Sequence, residues 1–223
     1  MSGFNYANLV TDIRNYTEVG DSVLTAAIIN RFIEDAEFRI FYDVPIDAYR
    51  YVSEGAFVTD DNTINAPGKG TQGATGAVFI RGIEVFNSTS ATTGQGVWLQ
   101  KKDQTYLSEY VGRLTGSEGD LTNQDTTGLP KYYAMFGGAT GTTSTTSGGM
   151  YIAPTPDQNY KFRIYYTMMP KSLVTETSGT YISQYFPSGL LYACLVEAYG
   201  FLKGPADMLT LYENKYKQEV QKF

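Results

Sequence analysis

The sequence predicts an α+β fold: a terminal four-helix bundle-like part, with two N-terminal and two C-terminal helices, carrying an inserted antiparallel β-sandwich or barrel. Three observations predict it. Apolar residues recur every three or four positions at both ends of the 223-residue chain. Between residues 46 and 179 the period changes to two, and turn residues interrupt it repeatedly. The 19 Tyr and 12 Phe supply strand formers, and 23 Gly supply turns. The expected division is a helical domain of residues 1–45 plus 180–223 and a β domain of residues 46–179.

Taken in order, Tyr6, Leu9, Val10 and Ile13 form the stripe of a first helix that ends near Val19-Gly20. Ser22 and Thr25 are candidate N-caps for a second, whose stripe is Ile28, Ile29, Phe32, Ile33, Ala36 and Ile40. Arg31–Asp35 and Asp35–Arg39 are spaced for ion pairs along its outer face, and Pro45 closes it. Strands are then expected around Tyr49 to Ser53 and around Val78 to Val85, the latter kinked at Gly82. Val97-Trp98-Leu99 leads through a polar turn into a short helix at Tyr106 to Tyr110. Further strands follow at residues 131–136, 150–153 and 160–166. The run at residues 137–149, GGATGTTSTTSGG, reads as a flexible hairpin tip. Pro187 suits the first turn of a helix with a broad stripe of Leu190, Leu191, Cys194, Leu195, Ala198, Phe201 and Leu202. Gly204-Pro205 break it, and Met208, Leu209, Tyr212, Tyr216 and Val220 mark a last helix. Neither terminal pair buries its stripe alone, so packing the two pairs together is the expected solution.

Composition narrows function. The chain has no histidine, which removes the Ser–His–Asp triad, the Cys–His pair and the commonest zinc ligand. One cysteine, Cys194, excludes an intrachain disulfide and is expected to be a small buried residue. A net charge of −6 disfavours generic binding to nucleic acid or to an anionic membrane. The N-terminus has no basic segment, and no run approaches the ~20 apolar residues of a membrane span. The expectation is a chain made and folded in the cytoplasm, without a membrane partner.

The motifs carry little chemistry. Gly68-Lys-Gly70-Thr-Gln-Gly73 matches a dinucleotide fingerprint, but a β-like segment follows where a helix is required. Asp60, Asp61, Asp103, Glu109, Asp120 and Asp125 include possible glycosidase carboxylates, though several sit where Asp favours turns. Asp60-Asp-Asn62 is too short for a calcium loop. Lys101-Lys102 beside Trp98 fits a phosphate or base, a solvated turn, or carboxylates on a neighbouring copy. The expectation is a non-enzymatic protein with no catalytic residue, cofactor or metal.

Several segments, in order, resemble the head-to-tail adaptor (connector) proteins of short-tailed bacteriophages. They are Ile33-Glu-Asp-Ala-Glu-Phe-Arg-Ile40, Trp98-Leu-Gln-Lys-Lys-Asp103 with Tyr106-Leu-Ser-Glu-Tyr110, and Gly128-Leu-Pro-Lys-Tyr-Tyr-Ala134. Ile152-Ala-Pro-Thr-Pro-Asp157 with Tyr160, Tyr165-Tyr166 with Pro170, and Leu190-Leu-Tyr-Ala-Cys-Leu-Val-Glu-Ala198 with Phe201-Leu-Lys203 complete the set. The resemblance implies a virion protein at the head–tail junction, forming a dodecameric ring. Its helical part lies near the portal protein, and its β part is available to a tail tube, nozzle or fibres. It implies genomic DNA passing without sequence-specific binding. The stretch at residues 137–149 is longer than the resemblance leads one to expect.

A tyrosine-rich, weakly charged surface suits the heterologous contacts that close a ring. Twelve copies at −6 each would carry about −72, which disfavours retention of DNA in a channel. Candidate contact residues are Trp98, Tyr106, Tyr132 and Tyr133 in the β zone, and Tyr212, Tyr216 and Phe223 on the last helix, residues 207–223. Core packing is the competing expectation for these rings. Two other readings stay open: a carbohydrate-binding or hydrolysing tail protein, and a capsid decoration or minor head protein.

Overall fold

The computed structural model describes residues 3–67, 77–92, 95–110, 127–136 and 149–223. They are mixed α and β, and they group into two compact units, residues 1–48 with 170–223 and residues 49–169.

The first unit is helical. Helix α1 (Tyr6–Thr17) starts where the Asn5 side chain accepts the Asn8 N–H at 2.8 Å, and it stops at Glu18 in the left-handed region. It buries Leu9, Val10 and Ile13. Helix α2 (Ala26–Asp43) follows an extended Thr25, so Thr25 and not Ser22 holds the N-cap position, although its side chain makes no cap bond. The expected Asp35–Arg39 pair does not form. Arg39 turns to Glu213 at 2.7 Å and Asp43 at 3.6 Å, because a partner on a packed helix competes with the neighbour on its own exposed face.

Much later in the chain, α4 (Tyr181–Tyr185) is a five-residue helix that the sequence pattern does not reveal. A reciprocal pair of bonds between Thr180 and Ser183 caps it. Helix α5 (Pro187–Phe201) begins with its proline in the first turn and buries Leu190, Leu191, Ala193, Cys194, Leu195 and Ala198. It is apolar on nearly every side because α1, α2 and the last helix, α6 (Ala206–Lys222), all pack on it. Lys203, at positive φ, ends the preceding turn before Gly204-Pro205.

The second unit is an open sandwich of two four-stranded sheets, not a closed barrel. One sheet orders β1 (Arg50–Ala56), β8 (Lys161–Met168), β3 (Ala77–Phe86) and β4 (Gly96–Trp98), all antiparallel. The other orders β2 (Thr63–Asn65), β7 (Gly149–Ala153), β6 (Tyr132–Phe136) and β5 (Gln100–Lys101). The β5–β6 pair is parallel, a departure from the all-antiparallel expectation. Helix α3 (Gln104–Tyr110) follows β5 and comes before β6, the crossover that a parallel pair requires. Phe57, Ile64, Ile83, Val85, Tyr133, Met150, Ile152, Phe162 and Ile164 fill the space between the sheets. Leu107 of α3 packs on Ala134 and Ala153, so the second sheet is covered on both faces. Residues 68–76 and 137–148, with the GxGxxG match and nearly all of the Gly/Ser/Thr run, lie outside the described residues, as do Asp120 and Asp125.

Candidate interaction surfaces

In the β unit the first sheet has one open face. Residues directly opposite one another share a face, which puts Val52, Tyr165 and Gly82 in one row and Glu54, Arg163, Glu84 and Trp98 in the next. Register shifts between Ile80 and Gly82, at the expected kink. A Cβ at Gly82 would meet the Trp98 ring at 2.8 Å, so the glycine lets the indole lie close against the strand. The indole lies over that gap with its centroid 4.9 Å from the Tyr165 ring, yet it stays 54% exposed. Its support is polar: Tyr165 donates to Glu84 at 2.9 Å, and Arg163 donates to Glu54 at 2.7 Å and to Thr92 at 3.2 Å. The guanidinium and the Thr92 hydroxyl hold the Glu54 carboxyl below its usual range. Val52 and Phe79, exposed at 51% and 52%, extend the apolar strip.

A second aromatic group lies on the outer face of the other sheet. Tyr106 of α3 and Tyr132 of β6 meet edge-to-face at 5.6 Å, and the Lys102 ammonium sits 5.1 and 5.9 Å from their centroids. Asp103 accepts both the backbone N–H and the hydroxyl of Thr105, which lowers its pKa. Tyr133 points the opposite way and is buried in the sandwich. Asp61 is likewise bonded to the N–H and hydroxyl of Thr63. These two carboxylates act in turns, as Asp does on local grounds. Among the described residues no group of three His, Cys, Asp or Glu could hold a metal ion.

In the helical unit, the proposed contact tyrosines of α6 point inward. Tyr216 is 1% exposed; it donates to Asp43 of α2 at 2.7 Å and carries the Arg39 guanidinium 4.3 Å above its ring. Burial and the Asp43 carboxylate together push its hydroxyl pKa well up. Tyr212 is buried among Tyr16, Tyr192 and Tyr199, and Tyr199 donates to the Tyr16 carbonyl at 2.9 Å. Phe223 does reach the surface. It rests 4.8 Å from the Phe186 ring, and with Tyr185, Glu219 and Lys222 it lines an open cleft of about 380 Å³. Tyr185 is 68% exposed and stacks near Tyr181 at 4.8 Å. Phe38 and Tyr42 form another exposed pair on α2, one turn apart.

Sequence reasoning passed over Glu37. It is 4% exposed on α2, in phase with Ile33 and Ile40, and its Oε1 accepts the Leu173 N–H at 2.9 Å. Oε2 meets no partner with hydrogen-bond geometry. Burial pushes the carboxyl up to about 7, with Glu34 adding to it and Ser172, Leu173 and Thr180 pulling it part of the way back.

The molecule therefore offers apolar and aromatic surface on both units. Among its described residues it has no cluster of three His, Cys, Asp or Glu side chains that could hold a metal ion, and no helix long and apolar enough to cross a membrane. No curated protein matches the chain. A family model described as SU10 adaptor protein matches residues 4–223, a span that takes in both units. The chain thus belongs to the SU10 adaptor protein family, phage head-to-tail adaptors, and is a structural component of the virion.

Proposed function

We propose that this adaptor works as a closed ring of twelve copies that joins the portal protein to the tail and lines part of the DNA exit channel. The observation that carries the reading is the family match across both units. The helical unit is the portal-facing part, with Phe223, Tyr185 and the cleft beside them as its contact group. The β unit serves the tail tube, nozzle or fibres through Trp98 and through Tyr106 and Tyr132. Tyr133, Tyr212 and Tyr216 support these surfaces from inside. Rings held on rigid elements, exposed at Trp98 and half-buried at Tyr106 and Tyr132, give large contact area at little entropic cost, the character of interface hot spots. The acidic balance suits a channel that passes DNA without holding it.

The test is the mass of the portal ring before and after addition of this protein, by native mass spectrometry. A gain of twelve chains supports the reading. No association, or a stable trimer, or a mass shift that needs glycan, overturns it in favour of a decoration or carbohydrate-binding protein.

A further inference from the structure

Glu37 of α2 is buried against residues 170–180, the stretch that follows β8 in the chain and ends at Thr180, the N-cap of α4. One carboxyl oxygen accepts the Leu173 N–H of that stretch at 2.9 Å, and the other is cut off from solvent with no hydrogen-bond partner. A carboxyl so placed costs less protonated than ionised. The stretch over it is lightly held. Leu173 is its one fully buried side chain, and the Thr177 carbonyl accepts the Tyr6 N–H at 3.0 Å. Its other bonds are internal: the Ser172 carbonyl takes the N–H groups of Thr175 and Glu176, and Lys171 pairs with Glu176 at 2.7 Å. The charges around Glu37 do not neutralise it. Glu34, one turn away, disfavours ionisation. Helix α5, packed on α2, brings Glu197 and the buried Cys194 thiol, which burial pushes up. On the α6 side, Arg39 is taken by Glu213. The groups that favour the ionised form are the Leu173 N–H and the Ser172 and Thr180 hydroxyls, all from the stretch itself.

We propose that Glu37 is a proton-operated latch: protonated, it seals residues 170–180 against α2, and ionised, it lets them lift so that water reaches the carboxylate. The stretch is the cheapest way in for water. Lifting it uncovers one buried side chain, Leu173, and breaks the Glu37–Leu173 and Tyr6–Thr177 bonds. Parting α5 from α2 instead would uncover Leu190, Leu191, Cys194, Leu195 and Ala198. Because Thr177 holds the start of α1 and Thr180 caps α4, opening the latch loosens the ends of two helices and leaves the packing of α2 and α6 on α5 in place. Each opening above neutral pH releases a proton from Glu37. With the carboxyl at about 7 when closed and 4.5 in water, linkage makes opening about thirtyfold more favourable at pH 8.5 than at pH 5.5. The latch lies within one chain and is independent of the ring reading.

The test is amide hydrogen exchange of the full chain, read by mass spectrometry at pH 5.5 and 8.5 and corrected for the intrinsic pH dependence of exchange. In the wild type, peptides covering residues 170–180 are expected to exchange faster than those of α5 at both pH values. Their protection is expected to fall by about thirtyfold from pH 5.5 to 8.5. Glu37→Gln keeps an oxygen for the Leu173 N–H and cannot ionise, so its protection stays level across the same range. Three results overturn the proposal. The stretch is as protected as α5, so that it opens only with the whole unit; its protection does not depend on pH; or Glu37→Gln shows the same fall as the wild type. The first two are read on the wild type alone and stand whether or not the variant folds.

Discussion

The helical unit gathers three helices around α5, whereas the β unit leaves Trp98, Val52 and Phe79 exposed on one sheet. Where α2 meets α6, Arg39, Asp43, Glu213 and Tyr216 satisfy one another, and α5 is apolar on nearly every side because three helices cover it. The β unit leaves a tryptophan more than half exposed on one sheet, while α3 packs on the other. Tyrosine occurs in both units, so residue type does not separate inside from outside. Partners do: Tyr216 is drawn inward by the hydrogen bond and cation that α2 supplies, whereas Trp98 finds only a flat support of Tyr165 and Gly82. Stability is expected to concentrate in the closed surfaces and recognition in the open ones.

The comparison breaks most readily at its strongest point. Leu195→Ala, at a fully buried position of α5, is expected to cost about 2–5 kcal/mol in urea unfolding. A smaller cost would mean that α5 is not the common support of the helical unit. Glu37 gives the next effect, and its sign depends on pH. Its folded pKa of about 7 lies above the ordinary glutamate value of 4.5, so its contribution is fully present below pH 4.5 and is lost as pH rises through 7. Glu37→Gln, which cannot ionise, is expected to be more stable than the wild type by roughly 2–3 kcal/mol at pH 8.5, with little difference at pH 4.5. Equal stabilities at pH 8.5 would show that the carboxyl is not held in a dry site.

Tyr216→Phe keeps the ring and removes the hydroxyl that donates to Asp43, for an expected loss of about 1 kcal/mol in thermal unfolding. Trp98→Ala is expected to change stability least, by about 1 kcal/mol or less, while weakening attachment of tail components by about tenfold or more. A large stability loss with undiminished attachment would reverse the assignment and make Trp98 a structural residue.

Much of the architecture was legible because it rests on periodicity. The stripes of α1, α2 and α5, and the alternation in β1, β7 and β8, follow spacings of 3.6 and 2 over enough residues to be seen. Gly82 marked its kink, where the missing side chain lets Trp98 lie close to the strand. Helix α4 and strand β2, of five and three residues, are too short to show a period. The parallel direction of β5 is invisible for a different reason, since alternation carries no information on strand polarity. At the sites, the inward turn of Tyr216 depends on Asp43, 173 positions away, and no local pattern announces it. Glu37 did carry a signal. A carboxylate four residues after Ile33 and three before Ile40 lies on the buried stripe, and a buried charge position calls for an explanation.

The packing of α1 and α2 on α5 also sets the order in which the protein comes into being. About 160 residues separate the middle of α2 from the middle of α5, and at roughly 5–20 residues per second a ribosome takes on the order of 10–30 s to make them. Throughout that interval Ile29, Ile33 and Ile40 have no α5 to cover them. The β unit, encoded in between, has all its strands before α5 is synthesised. The nascent chain thus carries a finished sandwich and two helices with bare apolar faces, and these helices are the segment a chaperone has reason to hold.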